Sequence, residues 1–281
     1  MPGAESRLGR VEHTSSGDVR WDQFGAPRAP AVVLVHGTPF SSFVWRTLAP
    51  ELARAWKVIV WDLPGFGSSS MFQGQDVSLA AQGRVFAELL EVWQLDRPIV
   101  VAHDIGGAIT LRAQLLHGAR YARLALIDVV AVAPWGSPFF RLVGEHPDVF
   151  TRLPPRLHAA LVREYIAGAS SRGLPEPTLQ RLAEPWLDAR GQAAIYRQIA
   201  QADQRHTDEI EGRYASLDLP VLVAWGEDDA WIPIERGRHL AGLIPGARFE
   251  VIPGAGHLVQ EDAPEHLSRL LGEFLTADGT G

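Results

Sequence analysis

Six short, nearly unbroken apolar runs punctuate this chain: Ala31–Val35 (AVVLV), Lys57–Trp61 (KVIVW), Pro98–Ala102 (PIVVA), Leu124–Ile127 (LALI), Val221–Trp225 (VLVAW) and Arg248–Ile252 (RFEVI). Runs of this length, rich in β-branched residues, suit strands buried on both faces. Longer amphipathic stretches lie between them and read as helices: Val44–Ala55, Ser78–Gln94, Gly106–His117, Pro233–Leu243 and Pro264–Leu275. Ser78 and Pro264 stand where an N-cap and a first helical turn belong. This alternation predicts an α/β fold, a mostly parallel sheet with helices on both faces. Leu8–Thr14 and Val19–Phe24 alternate polar and apolar residues and read as an antiparallel hairpin at one edge, which makes eight strands.

One stretch breaks the rhythm. From about Ala131 to Tyr214 no strand pattern occurs, and the residues read as several short helices rich in Pro, Trp and Arg. We expect residues 131–213 to form a helical cap inserted into a core made of residues 1–130 and 214–281. An insertion at the carboxyl edge of a parallel sheet covers the crevice where such folds bind ligands.

Composition narrows the chemistry. The 281 residues are 46% hydrophobic and 21% charged, an ordinary globular balance, and the net charge of −7 speaks against a nucleic-acid partner. There is no cysteine, so disulfides, thiol catalysis and thiolate metal sites are excluded. Lys57, the only lysine, lies in a strand and suits no Schiff-base mechanism. No metal or other cofactor is expected. The first 30 residues hold no apolar signal-like run, and no run of about 18 apolar residues occurs, so no membrane association and a cytoplasmic location are expected. The polar tail TADGTG is expected to fray.

The chemistry concentrates in the loops after the strands. His36-Gly37-Thr38-Pro39 follows the first run, and His103-Asp104-Ile105-Gly106-Gly107 follows the third and opens a helix. Gly226-Glu227-Asp228-Asp229 and Gly254-Ala255-Gly256-His257 follow the last two. In the second loop Ala102, Asp104 and Gly106 make the pattern small-x-nucleophile-x-small, which a sharp strand-to-helix bend requires. It has the form of the G-x-S-x-G elbow with aspartate in place of serine, and the chain order is nucleophile, acid, histidine. On these motifs the sequence, from about Leu8 to Leu275, resembles the α/β-hydrolase fold, and more narrowly its aspartate-nucleophile branch of epoxide hydrolases and haloalkane dehalogenases.

The resemblance implies a hydrolase that acts on a small organic substrate with water. An aspartate attacking an acyl group would form an anhydride. It suits displacement at saturated carbon, which gives an alkyl ester on Asp104. His257 is then the base that activates water, and the backbone N–H groups of Thr38 and Ile105 are the expected oxyanion donors. Asp229 is the first choice for the acid that orients His257, with Asp228 and Asp128 (in LALIDVV) as alternatives. Thr38 stands where haloalkane dehalogenases hold halide with asparagine, and Ile105 where they carry tryptophan. An epoxide is therefore the favoured substrate. Haloalkane dehalogenation, ester or lactone hydrolysis, and a catalytically silent small-molecule binder are the alternatives. Ile105 and Ala108 also replace the arginines of fluoroacetate-type enzymes. From the cap, Tyr196 (in a Tyr-Arg pair with Arg197) and Tyr165 are the candidates to protonate a leaving oxygen. Trp135 and Trp186 are candidate leaving-group donors or pocket walls. His36 and His103 read as structural.

Overall fold

A computed structural model describes residues 8–277; most of the tail expected to fray lies outside them. Two antiparallel strands, β1 (Arg10–Thr14) and β2 (Gly17–Phe24), form the edge hairpin. Then follow β3 (Ala31–Val35), β4 (Lys57–Trp61), β5 (Ile99–His103), β6 (Arg123–Ile127), β7 (Val221–Gly226) and β8 (Arg248–Ile252). They make one eight-stranded sheet in the order β1-β2-β4-β3-β5-β6-β7-β8. From β4 to β8 all neighbours are parallel, and β2 meets β4 antiparallel. The strand order reverses around β3. The loops leaving β3 and β5 therefore part from each other and open a crevice at the carboxyl ends of the strands.

Burial follows position in the sheet. Every residue of β5 and β7 is buried. In β8, by contrast, Arg248 is exposed and Phe249, Glu250 and Val251 are only half-buried. The run RFEVI suggested a strand covered on both faces, but β8 is the sheet's other edge and lacks a neighbour on one side.

The helices follow the amphipathic stretches with one exception. Val44–Ala55 is broken into a 3-10 turn, Ser42–Trp45, and a short helix, Leu48–Leu52. Pro50 explains the break. In a continuous helix it would leave a backbone carbonyl without its donor and clash with the preceding turn, whereas in a helix starting at Leu48 it falls in the first turn. Elsewhere Ser78 caps the Leu79–Val92 helix, its hydroxyl accepting the Ala81 N–H.

Between β6 and β7 the chain is helical. It runs through Pro138–Glu145, Pro147–Thr151, Pro155–Ala167, Glu176–Ala183, Ala189–Gln201 and Arg205–Glu211. The first three begin on proline, whose fixed φ and missing N–H cost nothing at a helix start. This segment is tied to the strand-end loops by buried polar contacts. Trp186 donates its indole N–H to the Pro39 carbonyl (2.6 Å), and Gln198 donates to Thr38 Oγ1 (2.6 Å). Asp262, next to the His257 loop, accepts from the hydroxyls of Ser170 and Ser171 and from the Gly256 N–H. No helix among the described residues is long and apolar enough to cross a membrane.

Candidate active site

Asp104 occupies the bend between β5 and the Ile105–His117 helix, at φ 52° and ψ −126°. A non-glycine residue at positive φ stores about 1–3 kcal/mol of strain, which the surrounding packing must hold. The neighbours are small because they must be. A Cβ on Gly37 would lie 2.3 Å from Asp104 Oδ1, and one on Gly106 would lie 2.8 Å from the carbonyls of Val35 and His36. The bend turns the carboxylate out of the sheet into the crevice, where it is nonetheless buried.

The two carboxylate oxygens have different surroundings. Oδ1 accepts the Thr38 N–H at 2.6 Å, and the Ile105 N–H at the helix start helps hold the carboxylate's pKa down. Oδ2 faces His257 Nε2 at 3.4 Å, a distance and alignment that leave the nitrogen without a true hydrogen bond. On its other side His257 Nδ1 donates to Asp229 Oδ2 at 2.9 Å. Asp229 is fixed in turn, since its Oδ1 accepts the N–H groups of Trp231 (2.7 Å) and Ile232 (2.9 Å). This Asx-type turn locks the loop after β7. The structure thus brings Asp104, His257 and Asp229 into one chain of contacts, with Thr38 and Ile105 at its end.

Charge and burial compete at both ends of that chain. Burial alone would lower the His257 pKa, but the Asp229 and Asp104 carboxylates outweigh it and hold it well above the ordinary histidine value. Burial would raise Asp104, but contact with His257 holds its pKa below the carboxylate norm. His103 is pushed down to about 3 by burial and by the positive charge of His257, so it stays neutral. Its Nε2–H donates to the His257 carbonyl at 2.8 Å. His36 bridges the Gly37 carbonyl (3.0 Å) and the Leu63 N–H (3.0 Å), and so pins the loop that carries Thr38.

The two alternative acids sit elsewhere. Asp228 is exposed and only its backbone N–H is engaged, on the Ala255 carbonyl, so it does not reach His257. Asp128 is wholly buried after β6, where its Oδ1 accepts the Gly226 N–H at 2.8 Å; His257 Nδ1 bonds Asp229 instead.

The helical segment corrects several expectations. Tyr196 does not line the cavity over Asp104. Its hydroxyl is buried on His158 Nδ1 at 2.8 Å, while His158 Nε2 donates to the Trp186 carbonyl at 2.8 Å. Trp186 is fully buried, and its N–H is committed to Pro39. Trp135 lines the cavity with its ring, but its N–H is spent on Thr207 Oγ1 at 2.9 Å, so it is a wall and not a donor. Tyr165 does reach the cavity. Burial and the Asp104 charge hold its pKa far above the normal phenol value, so the proton stays on.

One residue absent from the sequence reasoning proves central. Trp231 stacks on the His257 ring (centroids 4.9 Å apart), and Tyr165 stacks on Trp231 in turn (4.4 Å). An aromatic residue two positions after Asp229, held by that carboxylate's own turn, is the signal that would have found it. The cavity, partly open to solvent, is walled by Ile105, Val130, Trp135, Phe140, Tyr165 and Trp231, with Asp104 and Thr38 at its floor. Among the described residues no lysine or arginine lines it. Among the described residues no group of three or more histidine or acidic side chains is placed to hold a metal ion.

This sheet order, with an elbow after β5 and a histidine after β8, agrees with comparison to known proteins. A family model for the alpha/beta hydrolase fold matches residues 30–264, and the chain belongs to that family. A crystal structure of an alpha/beta hydrolase fold protein from Burkholderia ambifaria is 47% identical and superposes with a TM-score of 0.91, covering 95% of this chain and 97% of that one. The 2-hydroxy-6-oxo-2,4-heptadienoate hydrolase of Pseudomonas putida is 28% identical over 99% of this chain and 100% of its own. Epoxide hydrolase A of Mycobacterium tuberculosis is 26% identical over 95% of this chain and 97% of its own.

Proposed function

We propose that the protein hydrolyses small neutral epoxides through a covalent ester on Asp104. The observation that carries this reading is the asymmetry of the carboxylate beneath Tyr165. Oδ1 is tethered by the Thr38 N–H, while Oδ2 faces His257. Oδ2 attacks a ring carbon, the C–O bond breaks, and the departing oxygen takes the Tyr165 proton. Water that has lost a proton to His257 then adds to the Asp104 carboxyl carbon, and the negative charge develops on Oδ1 against the Thr38 N–H. Collapse releases the diol. One of the two protons brought by the water ends on the diol oxygen and the other restores Tyr165. Asp229 holds the imidazole in the tautomer whose Nε2 accepts a proton.

Forming the ester removes the Asp104 charge that helps keep His257 protonated. Once that charge is gone His257 releases its proton to solvent, and the neutral imidazole is the base for the second step. The identity with Epoxide hydrolase A agrees with this reading but is too low to carry it.

The test is a trap. In His257→Gln the ester should form and persist, because deacylation loses a general base worth about 10²–10⁴-fold. Intact-mass measurement after incubation with styrene oxide should show the full mass of the epoxide added, since ring opening expels no atom. Addition of an alkyl group without its halide from 1-bromobutane, and nothing from styrene oxide, would make the protein a dehalogenase. No adduct from either probe, or from wider panels of the two classes, would end the covalent reading.

A further inference from the structure

The proposed reaction leaves one buried ionisable group beside its acid unused. Asp128 follows β6 at φ 46°, a left-handed conformation that aspartate tolerates better than most residues. It is completely buried, and its Oδ1 accepts the Gly226 N–H at 2.8 Å. Its Oδ2 is buried with no hydrogen-bond partner among the described residues. Asp229 lies in the turn that follows the adjacent strand and starts at the same Gly226, whose carbonyl accepts the Asp229 N–H at 3.3 Å, and its own oxygens are engaged by Trp231, Ile232 and His257.

Two ionised carboxylates cannot share a water-free site without a large penalty, and a bare acceptor such as Oδ2 is itself costly to bury. One proton removes both difficulties. We propose that Asp128 is a positioning residue: a neutral carboxylic acid whose O–H, on Oδ2, donates to the Asp229 carboxylate and fixes that carboxylate against His257. The titratable groups that face Asp128 are Asp229 and His257. Burial and the Asp229 charge push its pKa well above the carboxylate norm, in accord with this state. The role rests on the reading of Asp104, His257 and Asp229 as the catalytic set. It makes Asp128 a hydrogen-bond donor to the acid, not a second acid for the histidine.

The role has a distinctive requirement. The residue must accept from Gly226 and donate to Asp229, and asparagine can do both. We therefore expect Asp128→Leu to lower kcat for styrene oxide by at least about tenfold with little change in KM. Asp128→Asn should recover most of the rate that Asp128→Leu loses. Two readouts need no turnover. Infrared difference spectra of wild type against Asp128→Asn near neutral pH should show a protonated carboxyl band in the wild type alone. The downfield proton resonance between His257 and Asp229 should be kept in Asp128→Asn and shifted or lost in Asp128→Leu.

An Asn variant as impaired as Leu, or a wild type without the carboxylic-acid band, overturns the proposal. So does a Leu variant that keeps both its rate and its downfield proton. If Asp128→Leu fails to fold, the infrared band and the Asn rate still decide. Should wild type neither hydrolyse epoxides nor form adducts, the reaction reading fails, while the band and the resonance still show whether Asp128 donates to Asp229.

Discussion

Asp104 and Tyr165 face one cavity from regions built under different constraints. Asp104 stands at the end of a fully buried strand, where the bend, the small neighbours and the helix start together leave one direction for the side chain. Tyr165 stands on the Pro155–Ala167 helix, where a rotation of one residue carries a side chain about 100° around the axis. Tyr196, on the Ala189–Gln201 helix, has the same chemistry and turns to His158 instead. The sheet side of the cavity is specified by local sequence. The helical side is specified by how helices pack on one another, which no short motif encodes.

Substitutions can break that comparison. The largest effect is expected at the elbow. Asp104→Ala should reduce epoxide turnover on the order of 10⁴-fold or more in a steady-state assay, with the fold intact by circular dichroism. Next is Tyr165→Phe, which should slow ring opening by about 10²-fold. Tyr196→Phe should leave the single-turnover rate unchanged. If the two tyrosine variants exchange these outcomes, the assignment of the helical side is reversed.

A pH effect should follow from the charge on Asp104. Under the proposed chemistry, hydrolysis of the ester needs neutral His257, so its rate should fall as pH drops through the His257 pKa. In the free protein that pKa is raised, with Asp229 and Asp104 both raising it. In the ester Asp104 carries no charge, so the acid limb of ester hydrolysis should lie at lower pH than the NMR titration of His257 in the free protein. Coincident values would mean that the Asp104 charge has little hold on the histidine. The smallest expected effect concerns the join between the two regions. Trp186→Phe loses the hydrogen bond to the Pro39 carbonyl, worth about 1 kcal/mol, and should lower Tm by about 2–4 °C in a thermal scan.

The same division shows in what the sequence made legible. Strand runs such as AVVLV and KVIVW coincide with β3 and β4, because a run buried on both faces is a strong local signal. The loop motifs pointed to Asp104, Asp229 and His257, which the structure places in contact. The choice among Asp229, Asp228 and Asp128 was not legible. It depends on which carboxylate reaches Nδ1 across neighbouring strands, a matter of register and turn shape. The Val44–Ala55 stretch misled because its apolar spacing outweighed one proline, although Pro50 was visible in it. The roles of Trp135 and Trp186 were hidden for another reason. Each indole N–H is taken by a partner distant in sequence, Thr207 and Pro39, that only tertiary contact reveals.

The unequal oxygens of Asp104 carry one more consequence. Under the proposed chemistry, the atom that leaves with the diol comes from the protein and not from the solvent of that turnover. Oδ1, held by the Thr38 N–H, would be the permanent oxygen, and Oδ2 the one exchanged for solvent oxygen at each cycle. A single round in ¹⁸O-labelled water should therefore mark the peptide that contains Asp104 and leave the first diol unlabelled.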